Sequence, residues 1–142
     1  MRVLAAVALA AALVAGGVGC DDDRAEGALG PGTVTVDLEL HHSRFRPARL
    51  TVLEGTTVRF VVHNTDPIDH ELIVGDAAVH RRHELGTEPY HPPKPGEVSV
   101  LAGTTAETSY HFHAAGTVVM ACHLPGHFAF GMRGEIEVVA AS

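Results

Sequence analysis

Apolar and polar residues alternate with a period of two along much of this chain. The clearest stretch is 33–40, Thr-Val-Thr-Val-Asp-Leu-Glu-Leu, where every second residue is aliphatic. Side chains on a strand point alternately to its two faces, so this pattern predicts a strand with one buried side. Alternating or β-branched runs at 49–53, 56–63, 69–74, 98–101, 104–112, 117–122 and 134–139 predict further short strands. Turn residues stand between them, among them Glu54-Gly55 and Asn64-Thr65-Asp66-Pro67. About eight short strands without a long helical period point to an all-β chain, a Greek-key β-sandwich or barrel. Residues 75–96 break the pattern. They carry Pro89, Pro92, Pro93 and Pro95 and no sustained period, so they read as a long loop with a short helix near 77–85. Loops of that length in a small domain are usually functional or mobile.

Before residue 33 the chain is different. Arg2 precedes 3–18, which is almost wholly Ala, Val, Leu and Gly. That run is shorter than the ~20 residues that cross a bilayer. It suits the core of a signal peptide, with the positive charge on the correct side. Gly17-Val18-Gly19 then leads into Cys20 and Asp21-Asp22-Asp23. This ending resembles the lipobox of bacterial lipoproteins, although Gly17 stands where Leu is usual. The resemblance implies cleavage before Cys20 and a lipid on its sulfur, holding the protein at a membrane outside the cytoplasm, in the periplasm or at the cell surface. An ordinary cleaved signal peptide with an incidental Cys20, and an uncleaved anchor, are the alternatives. The chain thus divides into a signal peptide at 1–19, a flexible tether at 20–32 and one folded domain at 33–142.

Charge and cysteine count narrow the function. A net charge of −7 with a single lysine, Lys94, leaves no basic patch for nucleic acid. Removal of the leader takes Arg2 with it and leaves the chain more acidic, which favours solubility and a cationic partner. There are two cysteines. With Cys20 in the leader region, Cys122 is alone and no disulfide framework exists within the domain. A lone thiol in an oxidising compartment survives by burial or by binding a metal.

The segment from Ala121 to Met132, Ala-Cys-His-Leu-Pro-Gly-His-Phe-Ala-Phe-Gly-Met, offers a thiol, an imidazole and a thioether at Cys-x4-His-x4-Met spacing. A predicted strand ends at Cys122 and Pro125-Gly126 turns the chain back, so a short loop can wrap one side of a metal ion. Singly, a buried cysteine is usually a small hydrophobe and a methionine core filler. Jointly, the spacing resembles the ligand loop of the cupredoxins, the blue copper proteins, and is nearest the rusticyanin and auracyanin branch. The resemblance spans 33–139. It implies one type 1 copper ion held by Cys122, His127 and Met132 with a histidine from an earlier strand. His70, in Ile68-Asp69-His70-Glu71-Leu72, is the candidate, and His63 is its main rival. A thiolate, two imidazoles and a weak axial thioether suit both oxidation states of copper.

With every position filled by protein, such an ion has no open place for substrate. The resemblance therefore implies a monomeric one-electron carrier and not an enzyme. It also implies a redox protein partner docking at an apolar patch of Leu124, Pro125, Phe128 and Phe130 around His127. The alternative is copper buffering, delivery or tolerance, to which the eleven histidines lend weight. A part in a larger oxidase or reductase is a third class, but the chain lacks the second cysteine of a binuclear copper loop and is short for a two-domain reductase. His123 follows Cys122 and is expected to point away from the copper, because neighbours in an extended segment alternate. His41, His42, His80, His83, His91, His111 and His113 are expected to be solvated or packed, with a second metal site among them left open. Glu71 stands where azurins and plastocyanins have an Asn that braces the cysteine loop. Either Glu71 or another residue must brace it here.

Overall fold

The computed structural model of the protein describes residues 24–86 and 90–141. In chain order the elements are β1 (Arg24–Leu29), β2 (Thr33–Leu40), β3 (Phe45–Arg46), β4 (Arg49–Leu53), β5 (Thr57–Asn64), β6 (His70–Gly75), α1 (Ala77–Leu85), β7 (Glu97–Val100), β8 (Thr105–His111), β9 (Gly116–Ala121) and β10 (Arg133–Val139). They form a six-stranded sheet in the order β1-β4-β10-β9-β6-β7 and a four-stranded sheet in the order β3-β2-β5-β8. The expected β-sandwich is what the chain builds. The alternation at 33–40 turns Val36, Leu38 and Leu40 inward beside Val58, Phe60 and Val62 of β5, which runs parallel to β2. Leu50, Val52, Leu72, Val98, Val100 and Ile136 meet them from the other sheet. Burial of these aliphatic faces is the main favourable term in holding the two sheets together.

Two elements differ from the reading of the sequence. The tether expected at 20–32 is a strand over part of its length, because Arg24–Leu29 pairs in parallel with β4. Without it β4 would be the sheet's edge, with a row of unpaired N–H and C=O groups that readily templates another strand. The two-residue β3 is too short to show a period. The signal peptide expected at 1–19, and Cys20, lie outside the described residues.

Strand β6 is buried along its whole length. Leu72 and Val74 join the sandwich core, while Glu71 and Ile73, which alternate with them, face outward. That outer face is covered by α1. Asp76 caps the helix, its carboxylate accepting the N–H groups of Ala78 and Val79. Gly75 lets the helix come close, since a Cβ there would lie 3.0 Å from Cβ of Val79. On the neighbouring strand β7, Ser99 and Glu97 stand opposite Glu71 and Ile73. The segment 75–96, apart from 87–89 outside the described residues, is therefore a third layer over β6 and β7 and carries the helix expected at 77–85.

Asn64, buried at the end of β5, ties this region to the four-stranded sheet. Its Nδ2 lies 2.8 Å from the Ile68 carbonyl, 3.1 Å from that of Val100 and 3.2 Å from that of Leu101, and its Oδ1 accepts the Asp66 N–H at 3.0 Å. Asn64→Ala leaves buried backbone groups unpaired and is expected to destabilise the fold by about 1–3 kcal/mol in denaturant unfolding.

Candidate metal centre

Strands β6 and β9 are antiparallel, with Ile73 opposite Ala121, so the start of β6 and the end of β9 lie at one end of the sheet. Strands β9 and β10 are also antiparallel, with Ala121 opposite Arg133, and residues 122–132 are the loop between them. The loop is held by its own backbone. Cys122 N–H donates to the Met132 carbonyl at 3.1 Å, Met132 N–H to that of His127 at 2.9 Å, and His127 N–H to that of Leu124 at 2.9 Å. Gly126 and Gly131 make its turns with φ of 85° and 94°, a region that suits residues without a Cβ.

The result is a cluster of donor atoms. One from each of His70, Cys122 and His127 lies within 4.8 Å of the others. His127 Nδ1 is 3.2 Å from Cys122 Sγ and 3.2 Å from His70 Nδ1. His70 and Cys122 are buried, and His127 alone of the three reaches the surface. Met132 is wholly buried in the same core cluster as Cys122, at the base of the loop. His63 is elsewhere. It lies exposed on β5, bonded to Thr105 and to Asp37.

The protonation states suit a metal. Burial pushes the Cys122 thiol up to about 12, so at neutral pH without metal it keeps its proton and must release it to bind. Burial, and then the neighbouring His70, pulls His127 below the usual imidazole value and leaves it neutral. His70 Nε2 lies 2.9 Å from Asp66 Oδ2, and a carboxylate can only accept, so that nitrogen carries the hydrogen and, in a neutral ring, Nδ1 offers its lone pair to the cluster. Burial tends to raise the Asp66 carboxyl, but the Ser43 N–H, the His70 ring and the His42 N–H outweigh it and hold it below the ordinary carboxylate range. His42 and Ser43 both adopt positive φ, 51° and 53°, and their N–H groups each reach an Asp66 oxygen at 2.7 Å. This carboxylate stands in the turn expected at 64–67, and an Asp four residues before a candidate ligand His is its signal in the sequence.

Glu71 answers the question of the missing Asn. Its Oε1 accepts the N–H of His123 at 2.7 Å, so Glu71 itself braces the cysteine loop. Burial pushes its carboxyl above the ordinary value, against the pull of that N–H and of His83 and His91. His123 points away from the donor cluster, as expected. Its Nε2 lies 2.9 Å from His80 Nδ1 on α1, and its ring stacks on Phe128. The Arg133 guanidinium lies over the Phe128 ring, with its Cζ 5.4 Å from the centroid. Phe130 is 77 % exposed, Pro125 is exposed, and Leu124 is half-buried against the core. Of the expected patch, Phe128 is thus the member engaged with the histidine layer.

A family model described as copper binding proteins, plastocyanin/azurin family, matches residues 32–139. The chain belongs to that family. This cupredoxin binds copper, and a donor set of two imidazoles and a thiol beside a buried methionine fits the ion. It is 42 % identical, over 98 residues, to a protein of Rubrivivax gelatinosus named copper-resistant cuproprotein CopI. That match takes in 67 % of this chain and 59 % of the relative, so the chain spans under two thirds of the relative's length. Among solved structures it resembles reduced auracyanin of Roseiflexus castenholzii, with TM-score 0.63 and 21 % identity over 80 % of this chain and 99 % of that one. It also resembles reduced rusticyanin, with TM-score 0.52 and 21 % identity over 79 % and 83 % of the two chains. At those identities the likeness is one of fold, and it agrees with the branch expected from the loop spacing.

Asp66 orients His70 without joining the donor cluster. Asp66→Ala is expected to weaken copper binding by about 10–100-fold, as loss of a ligand's hydrogen-bond partner generally does. Competition with a chelator of known affinity measures it.

Proposed function

We propose that the protein is an exported cuproprotein of copper tolerance and that it works through a type 1 copper centre of His70, Cys122, His127 and Met132 that takes up and gives back single electrons. The observation that carries this reading is the convergence of His70, Cys122 and His127 donor atoms, two of the residues buried, at the end of a rigid sandwich. Copper bound there supplies a one-electron couple between its cupric and cuprous states. The chain's residues do the rest. Asp66 holds His70 in one tautomer, Glu71 holds the backbone next to Cys122, and the loop's own hydrogen bonds hold His127 and Met132. Donors held in place need little rearrangement when the charge changes. Buried His70 and Cys122 also argue against rapid hand-over of the ion, which favours a carrier over a delivery protein and over an enzyme with an open metal position.

Tolerance is supported by the name of the Rubrivivax relative, a copper-resistant cuproprotein. In this reading the copper chemistry lies outside the cytoplasm, which the signal peptide read at 1–19 supports, and a lipid on Cys20 would hold the protein at a membrane. Copper buffering is the second reading, supported by the same name. An optical spectrum with a redox titration separates them. We expect an intense visible thiolate-to-copper band and a reversible one-electron couple, with the band absent in Cys122→Ala. A colourless protein that surrenders copper rapidly to a chelator would favour buffering. A band that persists in Cys122→Ala would defeat the assignment.

Electrons enter and leave, in this reading, at the half-buried His127, with Leu124, Pro125 and exposed Phe130 forming the apolar contact for a redox partner. Phe130→Ser is expected to slow electron self-exchange severalfold, measured by NMR line broadening of mixed oxidation states, with the optical spectrum unchanged.

A further inference from the structure

Beneath α1, three donor atoms meet that the copper centre does not use. Glu71 Oε2 lies 3.9 Å from His83 Nδ1 and 3.8 Å from His91 Nε2, and the three atoms are within 4.8 Å of one another. The side chains of Glu71 and His91 are 2 % exposed and that of His83 is 7 % exposed. These separations are too long for hydrogen bonds. His91 Nε2 is, among the described residues, the buried side-chain nitrogen or oxygen without any hydrogen-bond partner. Native interiors rarely leave such an atom unpaired.

The outer sides of the two rings show what the inner sides are. His83 Nε2 lies 2.9 Å from Glu97 Oε2, and His91 Nδ1 lies 3.2 Å from the Pro92 carbonyl. Carboxylate and carbonyl oxygens only accept, so those outer nitrogens carry the hydrogens. On neutral rings the inward nitrogens are then bare lone pairs, facing a carboxylate oxygen. A proton on either would still make no hydrogen bond at these distances. A cation between them would take all three. The supporting contacts are those a metal site has. Glu97 holds His83, and Arg82 holds Glu97. The His91 backbone N–H is held by Ser99 Oγ at 3.0 Å, and Glu71 by the His123 N–H. An ion about 2.0–2.2 Å from each ligand keeps neighbouring ligands roughly 3.0 Å apart in the tetragonal geometry of cupric copper and roughly 3.4 Å apart in a tetrahedron, so a closing of side chains by under about 1 Å suffices.

We propose that Glu71, His83 and His91 form a second metal site, for a divalent ion that takes imidazole nitrogen with carboxylate oxygen. Cupric copper is the first choice, because it binds such ligands more tightly than zinc does. Three protein ligands leave one position open. The site shares no side chain with the type 1 centre and does not rest on the function proposed for that centre. It is joined to that centre through Glu71, which follows His70 on β6 and holds the backbone beside Cys122.

The test is a cupric titration of the protein as isolated from its producing cells, without a histidine tag. Equilibrium dialysis gives the stoichiometry, electron paramagnetic resonance the type of site, and circular dichroism the fold. We expect two tightly held ions, the second with an ordinary axial signal split by nitrogen. Cys122→Ala should keep that second ion alone. His91→Ala and His83→Gln, with circular dichroism unchanged, should each weaken it by about 100-fold or more and leave the first ion in place. Binding of one ion only by the wild type overturns the proposal. So does a second ion held equally well by both folded variants, which assigns it to exposed pairs such as His41–His42. An axial ion lost in both variants, in a protein that never shows the visible band, keeps this site and rejects the type 1 reading instead.

Discussion

Strand β6 has no solvent-facing side, and the chemistry of the protein depends on that. In an ordinary sandwich strand the outward residues face water and carry little constraint. Here helix α1 and the chain after it lie over the outer face, so consecutive residues enter two different interiors. His70 meets Cys122 and His127 on one side. Glu71 enters a buried layer of histidines on the other. A polar group in either place is tolerated only with partners, because desolvation without compensation is costly. Each partner is therefore specified tightly, and the two layers constrain each other through adjacent residues of one strand.

The same logic sets the positions of protons. Four imidazoles around the two clusters each have one nitrogen committed to an oxygen that can only accept. Asp66 fixes His70, Glu97 fixes His83, the Pro92 carbonyl fixes His91 and the Val119 carbonyl fixes His80. On neutral rings the remaining nitrogens are lone pairs. In the His80–His123 pair that lone pair is met by the neighbouring ring, which closes the pair on itself. In the other places it is met by a donor cluster. Positioning of this kind costs backbone conformations that other residues avoid, as at His42 and Ser43, whose positive φ aims two N–H groups at Asp66.

Much of the fold was legible in the sequence, because a period of two in Val, Leu and Phe is a direct record of which strand face is buried. Strand β2 is found where the alternation put it, and α1 is found at 77–85. Strand β1 was not legible, since its pairing is determined by the open edge of β4 and its own residues show little pattern. At the copper centre, the Cys-x4-His-x4-Met spacing exposed three candidates because one loop carries them all. His70 was harder, since its partners come from a distant strand and ten other histidines compete with it.

Local spacing and periodicity are properties of the chain itself, and they determined the sandwich, the ligand loop and the isolation of Cys122. What surrounds each side chain depends on contacts between segments far apart in sequence, and only the tertiary structure decided it. Asp66 serves His70 because the turn after β2 meets the start of β6, Glu71 braces the loop because β9 lies beside β6, and His83 and His91 face a buried carboxylate because α1 and the chain after it pack over β6. A histidine in solution and a histidine with one nitrogen stripped of partners are the same letter. The difference between them is burial, which belongs to the folded molecule.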